Sequence, residues 1–485
     1  MSSALEGLRP ELVWKYFGEI AAIPRGSKNE AAITKYVAGV AKRFGLETKV
    51  DKFGNVAVKK PASPGRAQTR SICLQGHLDM VCEKNKGKVH NFKKDPIEIV
   101  RHGNVLMANG TTLGADNGIA VATNLAIMED KSLEHGPLEF LFTVDEETGL
   151  TGANNLGPDF VESRTLLNLD SEEEGAIYVG CSGGKGTIGT WKLRTETTAS
   201  RSLAGVLKVS GLKGGHSGLE IDKGRGNSIK ILNRALMALE TTGARVSSLE
   251  GGDKHNAIPR EAEAVVFLPA KKWDDGMVIV MKVNETIKAE LASVEPDLFI
   301  ALSLKKGVKK GRVFARGLQK AVCRTISAMP HGVVKMSADI PGLVETSTNL
   351  ASIHTMKKEV ALATSQRSSV ASEIEEICQT AASVLTLGGA EAKHNEGYPG
   401  WKPNLDSTIL KTAKETFMSL YRKEPHVKAI HAGLECGIIG EKYPGIDMVS
   451  FGPTLEGVHS PDEKMHIDSV GKYWDFLVAI LKNVR

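Results

Sequence analysis

LEFLFTVDEETG (138–149) is an apolar run that ends in three consecutive carboxylates, Asp145, Glu146 and Glu147. Leu138 to Val144 reads as a strand covered on both faces, because such strands lack the in–out alternation of a half-exposed one. Carboxylates at its end form either a solvated turn or a functional cluster. In open α/β sheets the ligand sites lie beyond the carboxyl ends of the strands. Two adjacent glutamates there can divide the work, one holding a metal and one moving a proton. The rest of the chain decides between these readings.

On either side of this run, helical and strand-like patterns alternate from about residue 12 to 184. WKYFGEIAAI and NEAAITKYVAGVAKRFG are amphipathic helices. FGNVAVKK, SICLQG and TLLNLD read as strands, and GIAVATNLAIMED as a buried helix. This alternation predicts an α/β fold with a mainly parallel sheet and flanking helices. The character changes near residue 185, where strand-like TIGTWKLRT and LAGVLKVSGL precede a helix, another strand and a further helix around 274–292. A second round follows: a helix at 316–328, strands in LVETSTNLASIHT and EVALATS, then the helix VASEIEEICQTAASVL. From about 393 the first style returns and ends in the helix SVGKYWDFLVAILKNV. The expected architecture is one α/β domain made of 1–184 and 393–485, interrupted by an inserted two-part α+β domain over 185–392.

The bulk numbers agree with a multidomain globular chain. There are 485 residues, of which 41% are hydrophobic and 25% charged, and that length favours two or three domains. A net charge of +5 is small for this size and argues against nucleic acid as a partner. The basic run KKGVKKGR (305–312) is expected to be a solvated surface loop. No apolar stretch approaches the roughly 18–20 residues of a membrane span, and the N-terminus lacks a signal peptide's apolar segment. The six cysteines (73, 82, 181, 323, 378, 436) form no CxxC pair. They read as reduced thiols in a cytoplasmic protein.

Four other places put metal-type ligands beside strand ends. GHLDM carries His77 and Asp79 directly after a strand, and their i, i+2 spacing sends both side chains the same way. His-x-Asp suits a metal-binding imidazole held by a neighbouring carboxylate. LGADNGIAVA sets Asp116 where a glycine-rich turn enters a helix, a position that an ordinary helix cap also explains. LLNLDSEEEG ends a strand with Asp170, and GVHSPDEKMHI supplies His459 in a loop. Taken singly, an acidic turn and an exposed histidine account for these two. Together with Glu146 and Glu147 the set fits two divalent cations. Each ion takes an imidazole and a terminal carboxylate, a third carboxylate bridges them, and one carboxylate is left over as a base. Mixed nitrogen and oxygen ligands suit zinc, with manganese or cobalt as alternatives.

The blocks QGHLDMV, TLGADNGIA, DEETGLTGA, NLDSEE, GGHSG, NAIPREA, YPGW, HAGLECG and GPTLEGVHSPDE occur in this order along the whole chain. In them the sequence resembles the aminoacyl-histidine (Xaa-His) dipeptidases, within the carnosinase/aminoacylase group of dinuclear zinc metallopeptidases. The resemblance implies that His77 and Asp170 bind one metal, Glu147 and His459 the other, and that Asp116 bridges both. It implies that Asp79 orients His77, that Glu146 is the general base, and that the Asp116–Asn117 peptide is cis. A metal-bridged hydroxide would then attack the peptide bond of a dipeptide. His216 of GGHSG matches the inserted domain's histidine and is expected to donate to the oxyanion. Asn256 of HNAIPRE and Arg367 of TSQRSS match positions that receive substrate, Arg367 taking the C-terminal carboxylate. Glu435 of HAGLECG is the candidate for the substrate's amino group, and His431 is read equally well as structural. The inserted domain is expected to act as a lid and to form a homodimer.

Three other readings compete with this one. GCSGG (180–184) satisfies G-x-S-x-G with Ser182 at its centre, but a nucleophile elbow needs a helix after the serine, and KGTIGTWKLRT is β-like. A metal-dependent deacylase or desuccinylase of N-acyl amino acids would use the same core. A non-catalytic binding protein on a peptidase fold would have no need of Glu146.

Overall fold

The computed structural model describes residues 3–307 and 311–485. The centre of the basic run KKGVKKGR, 308–310, lies outside the described residues. The chain divides into two compact units. The first comprises Met1–Cys181, Trp401–Ala429 and Leu434–Arg485; the second comprises Ser182–Gly400 and Ile430–Gly433.

The first unit is built on an eight-stranded mixed sheet. Its centre is parallel: Leu138–Thr143 pairs with Ile72–His77, that strand with Thr165–Asn168, and Thr165–Asn168 with Asp447–Ser450. Each of these four strands is almost wholly buried, as their apolar runs require. The flanks depart from the parallel pattern. Glu47–Val50 and Val56–Lys60 form an antiparallel hairpin that joins Leu138–Thr143, and Ala176–Cys181 meets Asp447–Ser450 antiparallel. The hairpin is set by its turn. Asp51 Oδ1 accepts from the N–H groups of Phe53, Gly54 and Asn55, and Gly54 has φ 104°, a side-chain-stabilised turn that only a permissive residue completes.

The helix Ala115–Glu129 packs on the central strand Ile72–His77, and Gly76 is the reason it can approach so closely. A Cβ at Gly76 would lie 2.4 Å from Asn117 Oδ1 and 2.8 Å from Ala120 Cβ. Asn117 Oδ1 instead accepts from the His77 N–H at 3.2 Å, and Asn117 Nδ2 donates to Leu169 O at 3.0 Å. One asparagine thus ties a helix start to the ends of two strands. The Asp116–Asn117 peptide is cis.

The second unit is a nine-stranded antiparallel sheet with helices packed on it. One half holds Phe299–Leu304, Ser202–Ser210, Ala262–Pro269 and Arg245–Gly251. The other holds Val344–Thr355, Glu359–Ser368, Gly183–Lys192 and Glu391–His394, with Gly332–Met336 beside them. The halves join where Glu250 and Gly251 pair with His354 and Ile353. A single apolar core runs through both, from Leu207 and Val266 to Leu350 and Leu385. Ser182 stands between the strands Ala176–Cys181 and Gly183–Lys192, with no helix after it. No described helix is long and apolar enough to cross a membrane, and all six cysteines are unpaired.

The close approach at Gly76 sets a stability prediction. Gly76→Ala forces Asn117 and Ala120 outward and is expected to cost about 1–3 kcal/mol, the usual range for overpacking. Urea unfolding measures it; an unchanged midpoint would contradict the packing account.

Candidate metal centre

The predicted ligands collect at the carboxyl ends of the parallel strands of the first unit. His77 closes Ile72–His77, and in register beside it Thr143 closes Leu138–Thr143. Asp170 follows Thr165–Asn168 by two residues, and His459 comes from the loop between Leu455–Glu456 and Lys464–His466. In three sets the ligating atoms lie within 4.8 Å of one another: His77, Asp116 and Asp170; Asp116, Glu147 and His459; His77, Glu146 and Glu147. Asp116 belongs to two of these sets through different oxygens. Its Oδ1 is 3.1 Å from His77 Nε2, and its Oδ2 is 3.1 Å from His459 Nε2. His77 Nε2 is also 3.5 Å from Asp170 Oδ1, and His459 Nε2 is 3.0 Å from Glu147 Oε2. Asp116 makes no capping hydrogen bond; the residue preceding the helix is Gly114, at φ 70°. The capping explanation for this aspartate therefore gives way to its place between the two imidazoles.

Two adjacent glutamates reach one cluster because the chain stops being extended. Asp145 adopts φ 51° and the short helix Glu146–Gly149 begins at once. Aspartate tolerates this left-handed conformation when its side chain bonds locally. Here the hydroxyls of Thr148 and Thr151 donate to Asp145, and its own N–H donates to Glu30 Oε1 at 3.0 Å. Asp79 secures the same turn. Its Oδ1 accepts from the Glu146 N–H at 3.0 Å and its Oδ2 from the Glu147 N–H at 3.2 Å, while Oδ1 also faces His77 Nδ1 at 3.3 Å. One carboxylate so fixes the imidazole and the turn that carries both glutamates.

The donor set fits divalent cations. Glu147 Oε1 and Asp170 Oδ1 are buried and receive no hydrogen bond, an arrangement costly for carboxylates unless a cation meets them. Burial pushes the Asp170 carboxyl up to about 6 against the pull of His77. Burial likewise drives Glu146 well above the usual carboxylate range, with the charges of Asp170, Glu435 and Glu147 adding to the shift. His459 is pushed up to about 11 by its hydrogen bonds with Asp116 and Glu147. Burial works to raise Asp79, yet His77, Ser27 and the Glu146 N–H together hold it down to about 2. The imidazoles compete as cations for the carboxylates a metal would use, so metal binding at these groups releases protons.

Two supporting residues were not visible in the sequence. Glu463 accepts four backbone N–H groups: Leu113 at 2.7 Å, Gly114 at 2.9 Å, Ala115 at 2.8 Å and Asp116 at 3.2 Å. Arg25 is 3% exposed and donates to the carbonyls of Leu78, Asp79 and Gly114. Both act on backbone groups, which leave no spacing pattern; the nearest signal for Glu463 was its place four residues after His459. Glu435 is fully buried. Its Oε2 accepts from Gln75 Nε2 and Thr143 Oγ1, each at 2.6 Å, and its Oε1 has no donor. Burial raises its carboxyl to about 7.

The remaining predicted residues belong to the second unit. His216 Nδ1 accepts from the N–H groups of Gly218 at 3.2 Å and Leu219 at 3.1 Å. That leaves the proton of the neutral ring on Nε2, as a donor. Burial and the Arg367 charge lower its pKa to about 4. Asn256 adjoins it: the Asn256 carbonyl accepts from Ser217 N–H at 2.9 Å, and Gly215–His216 pairs with Ala257–Ile258. Arg367 lies in Glu359–Ser368 with its side chain buried. His431 Nε2 is 2.7 Å from Ser347 Oγ, and burial lowers it to about 3.

Comparison with known proteins gives the same direction. The profile of peptidase family M20/M25/M40 matches residues 73–483. The cytosol non-specific dipeptidase of Escherichia coli is 40% identical over 483 residues, 99% of each chain. The crystal structure of aminoacylhistidine dipeptidase from Vibrio alginolyticus superposes with a TM-score of 0.90 at 39% identity, covering 100% of this chain and 98% of that one. A tripeptidase from Staphylococcus aureus, at 17% identity and a TM-score of 0.62 over 98% and 99% of the two chains, shares the fold.

Glu463→Ala removes the acceptor of four N–H groups and frees the turn that aims Asp116. Outer supports of this kind are worth roughly 10–100-fold in metal affinity. Competition with a chromophoric chelator measures the loss; unchanged affinity would mean that Glu463 does not hold the site.

Proposed function

Because the chain belongs to peptidase family M20/M25/M40, we propose that it hydrolyses dipeptides, Xaa-His types among them, at a two-metal centre. The observation that carries this reading is Asp116, whose two oxygens face two separate sets of ligands. His77 and Asp170 would hold one ion, Glu147 and His459 the other, with Asp116 between them. Zinc suits these nitrogen and oxygen donors, and manganese or cobalt could replace it. Divalent ions bound there would polarise the scissile carbonyl and lower the pKa of a water towards neutrality.

The protein's own groups do the rest. Glu146 takes a proton from the attacking water and delivers it to the leaving amine. Burial and the charges of neighbouring carboxylates raise its affinity for a proton, which favours proton capture. Asp79 keeps Glu146 and His77 in place through the turn and the imidazole it binds. His216, with its proton on Nε2, is assigned the oxyanion that forms as the carbonyl is attacked. Arg367 is assigned the substrate's C-terminal carboxylate and Asn256 a contact beside His216. Glu435 is assigned the substrate's ammonium, whose positive charge would favour the ionised form of this buried carboxyl.

The test is hydrolysis of β-alanyl-histidine, a set of α-dipeptides and N-acetyl amino acids by metal-loaded protein. Dipeptides are expected to be cleaved, chelation to stop turnover, and Glu146→Ala to keep both metals while losing roughly 10²–10⁴-fold in rate. Turnover of N-acetyl amino acids alone would overturn the dipeptidase reading in favour of a deacylase. Full activity in the variant would remove Glu146 from the mechanism.

A further inference from the structure

Arg367 poses a problem that its own strand does not solve. Its side chain is 6% exposed, its Nε is buried without an acceptor, and no carboxylate among the described residues forms an ion pair with it. A buried guanidinium without a counter-ion is costly. The groups it acts on supply no counter-ion: burial and the Arg367 charge hold His216 and His431 neutral, and the carboxylates that act on them, Glu220 and Asp222, do not pair with Arg367. Among the described residues Arg367 is left without a paired anion.

Its one polar side-chain partner among the described residues is Tyr398. Three chain segments explain the meeting. Arg367 pairs across the sheet with Gly184, and Gly184 pairs on its other side with Tyr398, with N···O distances of 3.0 and 2.8 Å. The middle residue has no side chain, so the two outer ones reach over it. Arg367 Nη1 donates to Tyr398 Oη at 2.9 Å. The ring is also fixed from a second direction. A Cβ at Gly184 would fall 2.6 Å from Tyr398 Cζ, and one at Gly433 would fall 2.9 Å from its Cε2. The tyrosine ring therefore lies between two glycine backbones, in space that any other residue at either position would take. YPGW and HAGLECG, the sequence blocks that hold Tyr398 and Gly433, are joined here in one device.

The hydroxyl accepts from the guanidinium, so its own hydrogen remains to be given. It meets no acceptor among the described residues. We propose that Tyr398 and Arg367 form a two-donor receptor for the substrate's C-terminal carboxylate, the tyrosine O–H binding one oxygen and the guanidinium the other. A charge-assisted pair of this kind is geometrically selective for a planar anion. Tyr398 would thus select peptides that end in a free carboxylate over the corresponding amides. The inference rests on the dipeptidase reading of Arg367 and adds the residue that enforces it.

Tyr398→Phe tests this without disturbing the fold, because the ring keeps its place between Gly184 and Gly433. The readout is the ratio of kcat/KM for β-alanyl-histidine to that for its C-terminal amide, in wild type, Tyr398→Phe and Arg367→Gln. One hydrogen bond to a charged group is worth about 10–100-fold. Tyr398→Phe is expected to lower the acid-to-amide ratio by that much, through KM with kcat little changed, and to lower kcat/KM for the amide far less, since its neutral carbonyl gains less from the hydroxyl. A residue that merely packs would lower both substrates together. If Arg367→Gln lowers the ratio and Tyr398→Phe does not, the proposal fails while the function stands. If neither does, the assignment of Arg367 falls with it. Equilibrium binding of the same two ligands to metal-loaded Glu146→Ala, with and without Tyr398→Phe, gives the answer independently of turnover. Equal affinity for acid and amide in the presence of Tyr398 would overturn the proposal.

Discussion

The first unit is organised around a concentration of buried negative charge. Asp79, Asp116, Glu146, Glu147, Asp170 and Glu435 converge where parallel strands end, with His77 and His459 set among them and the buried Arg25 acting on Asp79 and Asp116. Carboxylates withdrawn from water at such density are unstable unless cations or hydrogen-bond donors reach them. Each nearby feature of the chain can be read as a response to that demand. Asp116 lies between two imidazoles. Asp79 takes two backbone N–H groups and a serine hydroxyl. Glu147 and Asp170 keep oxygens that no donor satisfies, and these are atoms we propose for the metals.

The sheet makes this convergence possible but does not suffice for it. Parallel strands in register bring His77 beside Thr143, so the chain segments that follow diverge from adjacent points. From there local devices aim the side chains. Gly76 admits the helix start, Asn117 binds that start to two strands, and the left-handed Asp145 turns two adjacent glutamates into one cluster. Glu463 and Arg25, of opposite charge, hold opposite polarities of the same backbone: Glu463 takes N–H groups around Gly114, and Arg25 takes carbonyls on either side of it. The second unit uses the same economy when Gly184 and Gly433 give up side chains to seat Tyr398.

What the sequence made legible follows the same physics. Long apolar runs such as LEFLFTV announce buried strands, and chemistry-bearing residues at their ends announce a site. His77, Asp116, Glu146, Glu147, Asp170 and His459 could be listed on that basis, and they do come together. The partition of ligands between two ions came from resemblance, not from spacing. The hairpin edge of the sheet escaped, because antiparallel pairing there depends on a turn stabilised by Asp51 rather than on any hydrophobic period. The turn at Asp145 escaped too, since a residue at positive φ carries no periodic signature. Residues that bind backbone, Glu463 and Arg25 above all, were silent for the same reason. Tyr398 is silent in the sequence because its partner is thirty-one residues away.

The most direct test of the account is a crystal structure of the zinc-loaded protein with anomalous diffraction data. Two anomalous peaks are expected, one against His77 and Asp170 and one against Glu147 and His459, with one oxygen of Asp116 on each. A single peak, or an Asp116 carboxylate that touches only one of two, would contradict the claim that this aspartate joins two sites into one centre.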